Sequence, residues 1–312
     1  MSVKCAFLFA GQGSQAVGMG KDFFENSEVA KAMVADASKR TGIDFENLLF
    51  EENDNLGQTE FTQPAILLVA TIAHRLFTDA IDIKPTLTMG HSLGEFSALV
   101  ASGALDAIDA VELVNLRGKL MAEACSKQEV GMMVSLGLKD DVVEQICQEQ
   151  RDAGLQVWAV NYNADGQIVI AGIKKDLEAL APILKEAKAK RAILLDMSVA
   201  SHCPLLESAS APLAEKLNEM IKDEFTSPVI SNVTAEAYST KAEALELLPQ
   251  QLVLPVKYKH SMANIDDEVD CYIEFGQGNV LKGLNRKATK KPHFNVSDMA
   301  SLQTTIDSIK AL

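Results

Sequence analysis

The stretch Gly90-His91-Ser92-Leu93-Gly94 says more about fold and chemistry than any other part of the chain. It matches the Gly-x-Ser-x-Gly nucleophile elbow, in which a serine lies on a sharp turn between a strand and a helix. Residues 86–90 predict a short buried strand, and residues 95–101 predict the first turns of a helix. We therefore expect Ser92 to be a nucleophile, against the alternative of an accidental turn.

Composition narrows the class of protein. The 312 residues, 47% of them hydrophobic, are enough for a sizeable core, and the net charge of −14 argues against nonspecific nucleic-acid binding. The longest uncharged apolar stretch, residues 61–74, is shorter than the about 20 residues of a membrane span. The N-terminus lacks the features of a signal peptide. Five scattered cysteines without a C-x-x-C pair, and isolated histidines, predict a reducing, cytoplasmic environment and no metal site.

Alternating strand and helix patterns predict an α/β fold. The first part contains a strand at 3–10, the elbow strand, and helices over 27–41, 63–78 (with Pro64 in the first turn) and 106–124. Residues 131–197 follow the order β-α-β-β-α-β, which predicts an inserted ferredoxin-like (βαββαβ) small domain. The last part predicts helices over 204–222 and 241–253, strands over 228–231 and 271–275, and a final helix.

A serine nucleophile needs a base, which is usually histidine. His202 follows a predicted strand and immediately precedes a helix, and such loops build active sites in α/β folds. We expect His202 to be the base, with a structural role as the alternative. The other candidates are less suitable: His91 should point away from Ser92, His74 lies on an apolar helix, and His260 and His293 lie in basic stretches typical of a surface. Cys203, a rival nucleophile, is too close to His202 in sequence to use that imidazole.

Two further segments leave alternatives open. Residues 11–16 match the dinucleotide fingerprint G-x-G-x-x-A, but a helical pattern occupies the place of the required second strand. A loop that completes an oxyanion hole is the better interpretation. Arg117 lies on an otherwise apolar helix, where it is either salt-bridged or a fork for a substrate carboxylate. The basic run 282–291 is either a solvated face or a docking surface for an acidic protein.

Together these motifs resemble the malonyl-CoA:acyl-carrier-protein transacylases of fatty acid synthesis. The matching segments follow the order of that family and cover nearly the whole chain: residues 9–15, 61–65, 90–95, 117–121, 161–172, 201–202, 251–256 and 274–281. The resemblance implies an α/β-hydrolase-like core with a parallel sheet, formed by residues 1–127 and 198–312, and an inserted ferredoxin-like domain over residues 128–197.

The resemblance also implies roles for individual residues. Ser92 is the acylated nucleophile, His202 its base, and Gln12 and the N–H of Leu93 form the oxyanion hole. Arg117 clamps the malonyl carboxylate, and a backbone carbonyl near Gln251 holds the histidine. The remaining implied substrate contacts are Gln63, Met121, Asn163, Ser201 and Gln251, and the implied partner contacts are Lys282, Arg286 and Lys287.

The activity implied is transfer of malonyl from malonyl-CoA to the phosphopantetheine thiol of acyl carrier protein. We expect a monomer that needs no cofactor and binds neither nucleic acid nor a membrane. Ser201 departs from the family, which often has Phe before the histidine. In related polyketide acyltransferases Ser accompanies methylmalonyl use, whereas Leu93 favours malonyl. A serine thioesterase or esterase is the alternative enzyme, and a carrier-binding module with an inactive site is the non-enzyme alternative.

Overall fold

A computed structural model describes residues 3–312; Met1 and Ser2, which begin the expected N-terminal domain, lie outside the described residues. Its strands form two sheets. The strands are β1 (Cys5–Phe9), β2 (Leu87–Gly90), β3 (Val130–Leu136), β4 (Val157–Ala164), β5 (Gln167–Ile173), β6 (Arg191–Leu194), β7 (Val229–Ile230), β8 (Ala237–Tyr238), β9 (Cys271–Phe275) and β10 (His293–Val296).

The helices pack on both sheets. They are α1 (Lys21–Asn26), α2 (Glu28–Thr41), α3 (Phe45–Phe50), α4 (Thr59–Ala80), α5 (Gly94–Ala101), α6 (Ala107–Cys125), α7 (Asp140–Asp152), α8 (Lys174–Glu186), α9 (Glu207–Met220), α10 (Lys241–Gln251), α11 (Tyr258–Ile265), α12 (Val280–Asn285) and α13 (Met299–Lys310). Among the described residues, none of these helices is long and apolar enough to cross a membrane.

The larger sheet has the strand order β10-β9-β1-β2-β7-β8. Its pairs are parallel except that β8 runs antiparallel to β7. β1 reads Cys-Ala-Phe-Leu-Phe and is buried at every residue, as expected for a parallel strand that is covered by helices on both faces. The carboxyl ends of β1 and β2 lie side by side, with Phe9 in register with Gly90. The loops that follow these strands therefore meet at one edge. The expected α/β fold with a parallel sheet is confirmed.

The smaller sheet is antiparallel, with the order β4-β5-β3-β6, and its connections run β3-α7-β4-β5-α8-β6. This is the strand order of the ferredoxin-like unit. Its own apolar cluster, which includes Met133, Val143 and Leu180, is buried between the sheet and its two helices. β4 also hydrogen-bonds to the segment after α10, since Tyr162 N donates to Val256 O at 2.9 Å and Val256 N donates to Val160 O at 2.8 Å. This contact brings the end of β4 to the elbow.

Several expectations about elements were wrong. Pro64 lies inside α4 rather than in its first turn, because the helix begins at Thr59. Proline leaves the carbonyl four residues earlier without its helical donor, and here the carbonyl of Glu60 accepts from Asn115 Nδ2 at 2.8 Å. The helix expected over 204–222 divides into a 3₁₀ turn and α9. The short elements α1, α3, β8, α11, α12 and β10 were not expected at all.

Candidate active site

The elbow is built by close backbone contacts around Ser92. Ser92 has a φ of 53°, a strained value for a residue other than glycine. A Cβ on Gly90 would lie 1.9 Å from the carbonyl carbon of Gly94, and a Cβ on Gly94 would lie 2.0 Å from the carbonyl oxygen of Phe9. Only glycine fits at these two positions, so the sequence pattern allows β2, the turn and α5 to pack this tightly. The turn presents the Ser92 hydroxyl at the edge where β1 and β2 end.

His202 lies within hydrogen-bond distance of Ser92. Its Nε2 is 2.8 Å from Ser92 Oγ, and its Nδ1 is 2.6 Å from the carbonyl oxygen of Gln251. A carbonyl can only accept, so Nδ1 carries the proton and Nε2 is left to accept from the serine hydroxyl. The geometry of nucleophile, base and orienting group is that of a serine enzyme in which a backbone carbonyl replaces the acid.

The environment keeps the His202 imidazole neutral. Burial, and after it the positive charge of Arg117, lower the pKa of His202 to about 3, and the hydrogen bond to Gln251 opposes this shift only partly. The ring is therefore an unprotonated acceptor across the neutral pH range. Cys203 is unsuited to be the rival nucleophile. Burial raises the pKa of its thiol to about 12, so the thiol stays protonated at neutral pH, and its Sγ lies against the carbonyl of Ala200.

Arg117 is a fully buried cation beside the serine, and it is 1% exposed. Its Nη1 donates to Gln63 Oε1 at 2.7 Å, its Nη2 donates to Gln251 Oε1 at 3.0 Å, and the guanidinium lies 5.2 Å from the ring centroid of Phe96. Each terminal nitrogen carries two N–H groups. The second N–H of Nη1 has no acceptor among the described residues, whereas that of Nη2 is directed at the nucleophile. Nη2 is 3.4 Å from Ser92 Oγ. Burial lowers the pKa of Arg117 to about 10, which leaves it charged at neutral pH.

A cavity of about 180 Å³ joins these groups. The expected site residues that line it are Gln12, Gln63, Ser92, Leu93, Arg117, Met121, Asn163, Ser201 and His202. Gln251 lies behind the wall and reaches the site through its contacts with His202 and Arg117. Much of the remaining lining is apolar, and it includes Met132, Val169, Leu195, Met197 and Leu281. The site therefore combines an enclosed apolar wall with one buried cation and one activated serine.

Gln12 and Leu93 both line this cavity, and their backbone N–H groups have no hydrogen-bond acceptor among the residues that the structure describes. The Gln12 side chain is held in place, since its Oε1 accepts from Thr59 Oγ1 at 2.6 Å. A Cβ on Gly11 would lie 2.4 Å from the carbonyl oxygen of His91, so the loop after β1 lies directly on the elbow. In the described chain the strand after β1 begins at Leu87. The second strand that a dinucleotide site requires at this point is therefore not formed.

The basic residues expected to contact a partner lie outside the cavity. Lys282, Arg286 and Lys287 are exposed on α12 and just after it, and none of them forms an ion pair with any residue between 3 and 312. The opposite side of the same helix reaches the site, where Leu281 and Leu284 line the cavity wall.

The other histidines have distinct environments. His91 Nε2 lies 2.7 Å from Asn163 Oδ1, so this ring connects the elbow to β4, and it does not contact the serine hydroxyl. His74 packs edge-on against Phe7 and Phe275. The expectation that His293 lies on the surface was wrong, because its side chain is 7% exposed and lies 3.5 Å from the carboxylate of Glu274. Strand β10 pairs with β9 and carries His293 inward.

A buried polar network that the sequence did not predict lies beneath the elbow. Ser92 N donates to Asn232 Oδ1 at 2.6 Å, and Asn232 Nδ2 donates to the carbonyl of Gly90 at 2.7 Å. Glu95 accepts from Tyr238, Asn232 and Gln251. Only its position could have indicated the role of Asn232, because this residue follows β7 at the same sheet edge as the elbow. In the described part of the chain, no cluster of three or more His, Cys, Asp or Glu side chains is arranged to hold a metal ion.

Comparison with known proteins places the chain in a family. Residues 6–306 match the acyl transferase domain family. The malonyl CoA-acyl carrier protein transacylase of Bacillus subtilis (strain 168) is 38% identical over 310 residues, which is 98% of both chains. The crystal structure of malonyl-CoA:acyl carrier protein transacylase from Helicobacter pylori aligns with a TM-score of 0.96 at 44% identity and covers 99% of both chains. A malonyl-transacylase in complex with its type II PKS acyl-carrier protein aligns with a TM-score of 0.94 at 36% identity, over 98% of this chain and 99% of that one. The chain therefore belongs to the acyl transferase family and, within it, to the malonyl CoA-acyl carrier protein transacylases.

Proposed function

We propose that this chain moves a malonyl group from malonyl-CoA to the phosphopantetheine thiol of acyl carrier protein, through a malonyl-serine intermediate. The observation that carries the proposal is the joint placement of Ser92 Oγ 2.8 Å from His202 Nε2 and 3.4 Å from Arg117 Nη2. A nucleophile activated by a base and adjacent to a buried cation suits an acyl group that ends in a carboxylate. The relatives named above carry this activity in their names.

In the first half-reaction Ser92 Oγ attacks the thioester carbonyl while His202 Nε2 takes the hydroxyl proton. The tetrahedral oxyanion accepts from the free N–H groups of Gln12 and Leu93, each worth about 2.7–4 kcal/mol in comparable sites. His202 then returns the proton to the departing CoA thiolate, and malonyl-Ser92 remains. In the second half-reaction the carrier thiol gives its proton to His202 and attacks the ester carbonyl. The bond between the acyl carbon and Ser92 Oγ breaks, and His202 returns the proton to Ser92 Oγ, which regenerates the serine.

Arg117 selects the acyl group in this scheme. Gln63 and Gln251 each hold one terminal nitrogen of the guanidinium, so the remaining N–H groups form a fork for the free carboxylate of malonyl. Met121 supports this arrangement, because its Sδ accepts from Gln63 Nε2 at 3.2 Å. Asn163 lies across the cavity on β4, where it fixes His91, and Ser201 lies in the wall next to His202.

The exposed cations on α12 and just after it are the docking surface for the acidic carrier in this proposal. Lys282, Arg286 and Lys287 surround the outer side of a helix whose inner side lines the cavity. A carrier bound there delivers its prosthetic group over a short path.

We also propose that the protein acts in the cytoplasm as a monomer, with no cofactor other than its CoA substrate. We propose that, within the described residues, 3–127 and 198–312 form the catalytic domain and 128–197 form an inserted domain, which contributes Met132, Asn163 and Val169 to the cavity wall.

The alternative enzyme class, a serine thioesterase, shares the nucleophile and base and differs in the acceptor. The test is to incubate the protein with malonyl-CoA and to follow free CoA, free malonate and malonyl-carrier separately, with and without carrier protein that bears phosphopantetheine. A transferase releases CoA once per site without the carrier and turns over with it. Sustained malonate release without the carrier would instead identify a thioesterase.

A further inference from the structure

The side-chain amide of Gln251 has two ends that face groups of opposite character. Its Oε1 accepts from Arg117 Nη2 at 3.0 Å, whereas its Nε2 donates to the carbonyl of Ser92 at 3.0 Å and to Glu95 Oε2 at 2.7 Å. The side chain is completely buried. If the amide were turned over, its N–H groups would face the donors of Arg117, and its oxygen would face the oxygens of Ser92 and Glu95. The orientation of this amide therefore decides whether Arg117 is held.

Glu95 is the residue that imposes the orientation. It lies on α5, three residues after Ser92, and is 1% exposed. A carboxylate only accepts hydrogen bonds, and Glu95 Oε2 accepts from Gln251 Nε2 and from Asn232 N at 3.1 Å. Its other oxygen accepts from the Tyr238 hydroxyl at 3.1 Å. Every donor around Glu95 is thus matched, and the amide of Gln251 has one favourable orientation.

We propose that Glu95 is a positioning residue for acyl selection: it fixes the Gln251 amide, and through that amide it fixes the Arg117 fork that receives the substrate carboxylate. The proposal rests on the proposed function, because it assigns no new reaction. Glu95 touches neither Ser92 Oγ nor the cavity, since Gln251 lies between it and Arg117. Its effect should therefore be larger for substrates that bear a carboxylate than for those without one.

The charge of Glu95 is not required for this role. The groups that face it are Gln251, Asn232, Tyr238 and, at longer range, Arg117; burial raises the pKa of Glu95 to about 7 against the lowering effects of all four. A proton on the oxygen that faces Tyr238 can be donated to the phenol oxygen, and this leaves the bond to Gln251 intact. Glutamine can do the same, with its oxygen toward Gln251 and its NH₂ group toward Tyr238. Glu95→Gln should therefore keep the orientation of the Gln251 amide, whereas Glu95→Met should remove it.

The experiment measures kcat/KM for malonyl-CoA and for acetyl-CoA with the same carrier protein, and it compares their ratio between variants. Glu95→Met should lower the malonyl-to-acetyl ratio by about tenfold, equivalent to ~1.4 kcal/mol, while Glu95→Gln should stay within about threefold of the wild type. An unchanged ratio in Glu95→Met would overturn the proposal. Equal losses in both variants would also overturn it, because charge and not orientation would then matter.

A second variant keeps the test valid if Glu95→Met does not fold. Gln251→Met removes the amide and keeps the backbone carbonyl that holds His202, so it should show the same fall in the ratio. The double variant should be no worse than Gln251→Met alone, because residues that act through one contact are not additive. A wild-type ratio in Gln251→Met would refute the proposal. If instead the wild-type protein transferred no malonyl, the proposed function itself would be wrong.

Discussion

Replacing Arg117 with alanine removes the cation that we expect to recognise the malonyl carboxylate. Arg117 is 1% exposed and is held by Gln63 and Gln251, so no other residue can move a charge into its place without rearrangement. The expected result is a protein that still acylates Ser92 but no longer prefers malonyl to acetyl.

The magnitude follows from the number of N–H groups that can reach the substrate. Gln63 and Gln251 each take one N–H of the terminal nitrogens, which leaves the second N–H of Nη1 and the N–H of Nη2 that otherwise points at Ser92 Oγ. A hydrogen bond to a charged group contributes about 1.5–3 kcal/mol. Loss of both should raise the barrier for malonyl by about 3–6 kcal/mol, or about 10²–10⁴-fold in kcat/KM. Acetyl has no carboxylate and should keep most of its rate. The alanine variant also leaves Glu95 buried without its nearby cation, but that cost falls equally on both substrates.

Proton uptake by Glu95 limits the damage to folding. Arg117 is one of the groups that lower the pKa of Glu95, which is about 7 in the intact site. Without Arg117 this pKa rises further, so Glu95 is protonated at neutral pH and the buried negative charge disappears. The variant should therefore lose stability progressively as the pH rises from about 4.5, the ordinary pKa of the carboxyl group, to the raised pKa of the folded state, since the unfolded chain releases that proton more readily.

The assay is steady-state transfer of malonyl and of acetyl from their CoA thioesters to carrier protein, for the wild type, Arg117→Ala and Arg117→Lys. Lysine keeps the charge and lacks the planar fork, so its malonyl-to-acetyl ratio should lie between the other two. Thermal unfolding of each variant provides the control for folding. Equal losses for malonyl and acetyl in a folded Arg117→Ala protein would refute the role of Arg117 as a clamp.

Three other changes have expected outcomes. Burial lowers the pKa of His74 to about 4, so between pH 6.5 and about 4 only the unfolded histidine binds a proton, and the wild type should lose up to about 3 kcal/mol of stability over that range. His74→Leu should abolish this loss. Urea unfolding of both proteins at pH 6.5 and pH 4 checks this, and an identical pH dependence of the two would contradict it. Ser201→Phe should raise the kcat/KM ratio of malonyl-CoA to methylmalonyl-CoA, since Ser201 lines the cavity and one methyl group is worth about 1–3 kcal/mol; an unchanged ratio would mean that Ser201 does not contact the acyl group. Reversing Arg286 and Lys287 to Glu should slow transfer to the carrier, weaken the dependence of that transfer on salt and leave loading from malonyl-CoA unaltered. The same reversal at the exposed pair Lys174 and Lys175 on α8 should change neither step. Equal effects of the two reversals would exclude the cations that follow α12 as part of the docking surface.

Much of the catalytic edge could be predicted from the sequence because its determinants are local. Gly90 and Gly94 are required by contacts within the turn or with the adjacent strand, and buried apolar runs such as residues 5–9 indicate the parallel strands directly. His202 could be singled out because it follows a strand, in a loop that the α/β architecture places near the elbow. In each case a short segment carries its own physical reason.

What could not be predicted depends on contacts between distant segments. Asn232 holds the Ser92 backbone across 140 residues of sequence, and Glu95 meets Gln251 across 156. Pro64 is accommodated inside α4 only because Asn115, from another helix, bonds the carbonyl that proline leaves free. The strand β10 is four residues long and follows a basic run, so its pairing with β9 leaves little trace in the sequence pattern.

The central claim is that Ser92 carries the malonyl group between the two half-reactions. Mass spectrometry of the protein after brief exposure to malonyl-CoA, followed by peptide mapping, tests it directly. We expect one malonyl adduct, located on the peptide that contains Ser92, lost on addition of carrier protein with its phosphopantetheine thiol and absent from Ser92→Ala. An adduct that forms at the wild-type rate in Ser92→Ala, on Cys203 or any other residue, would contradict the account.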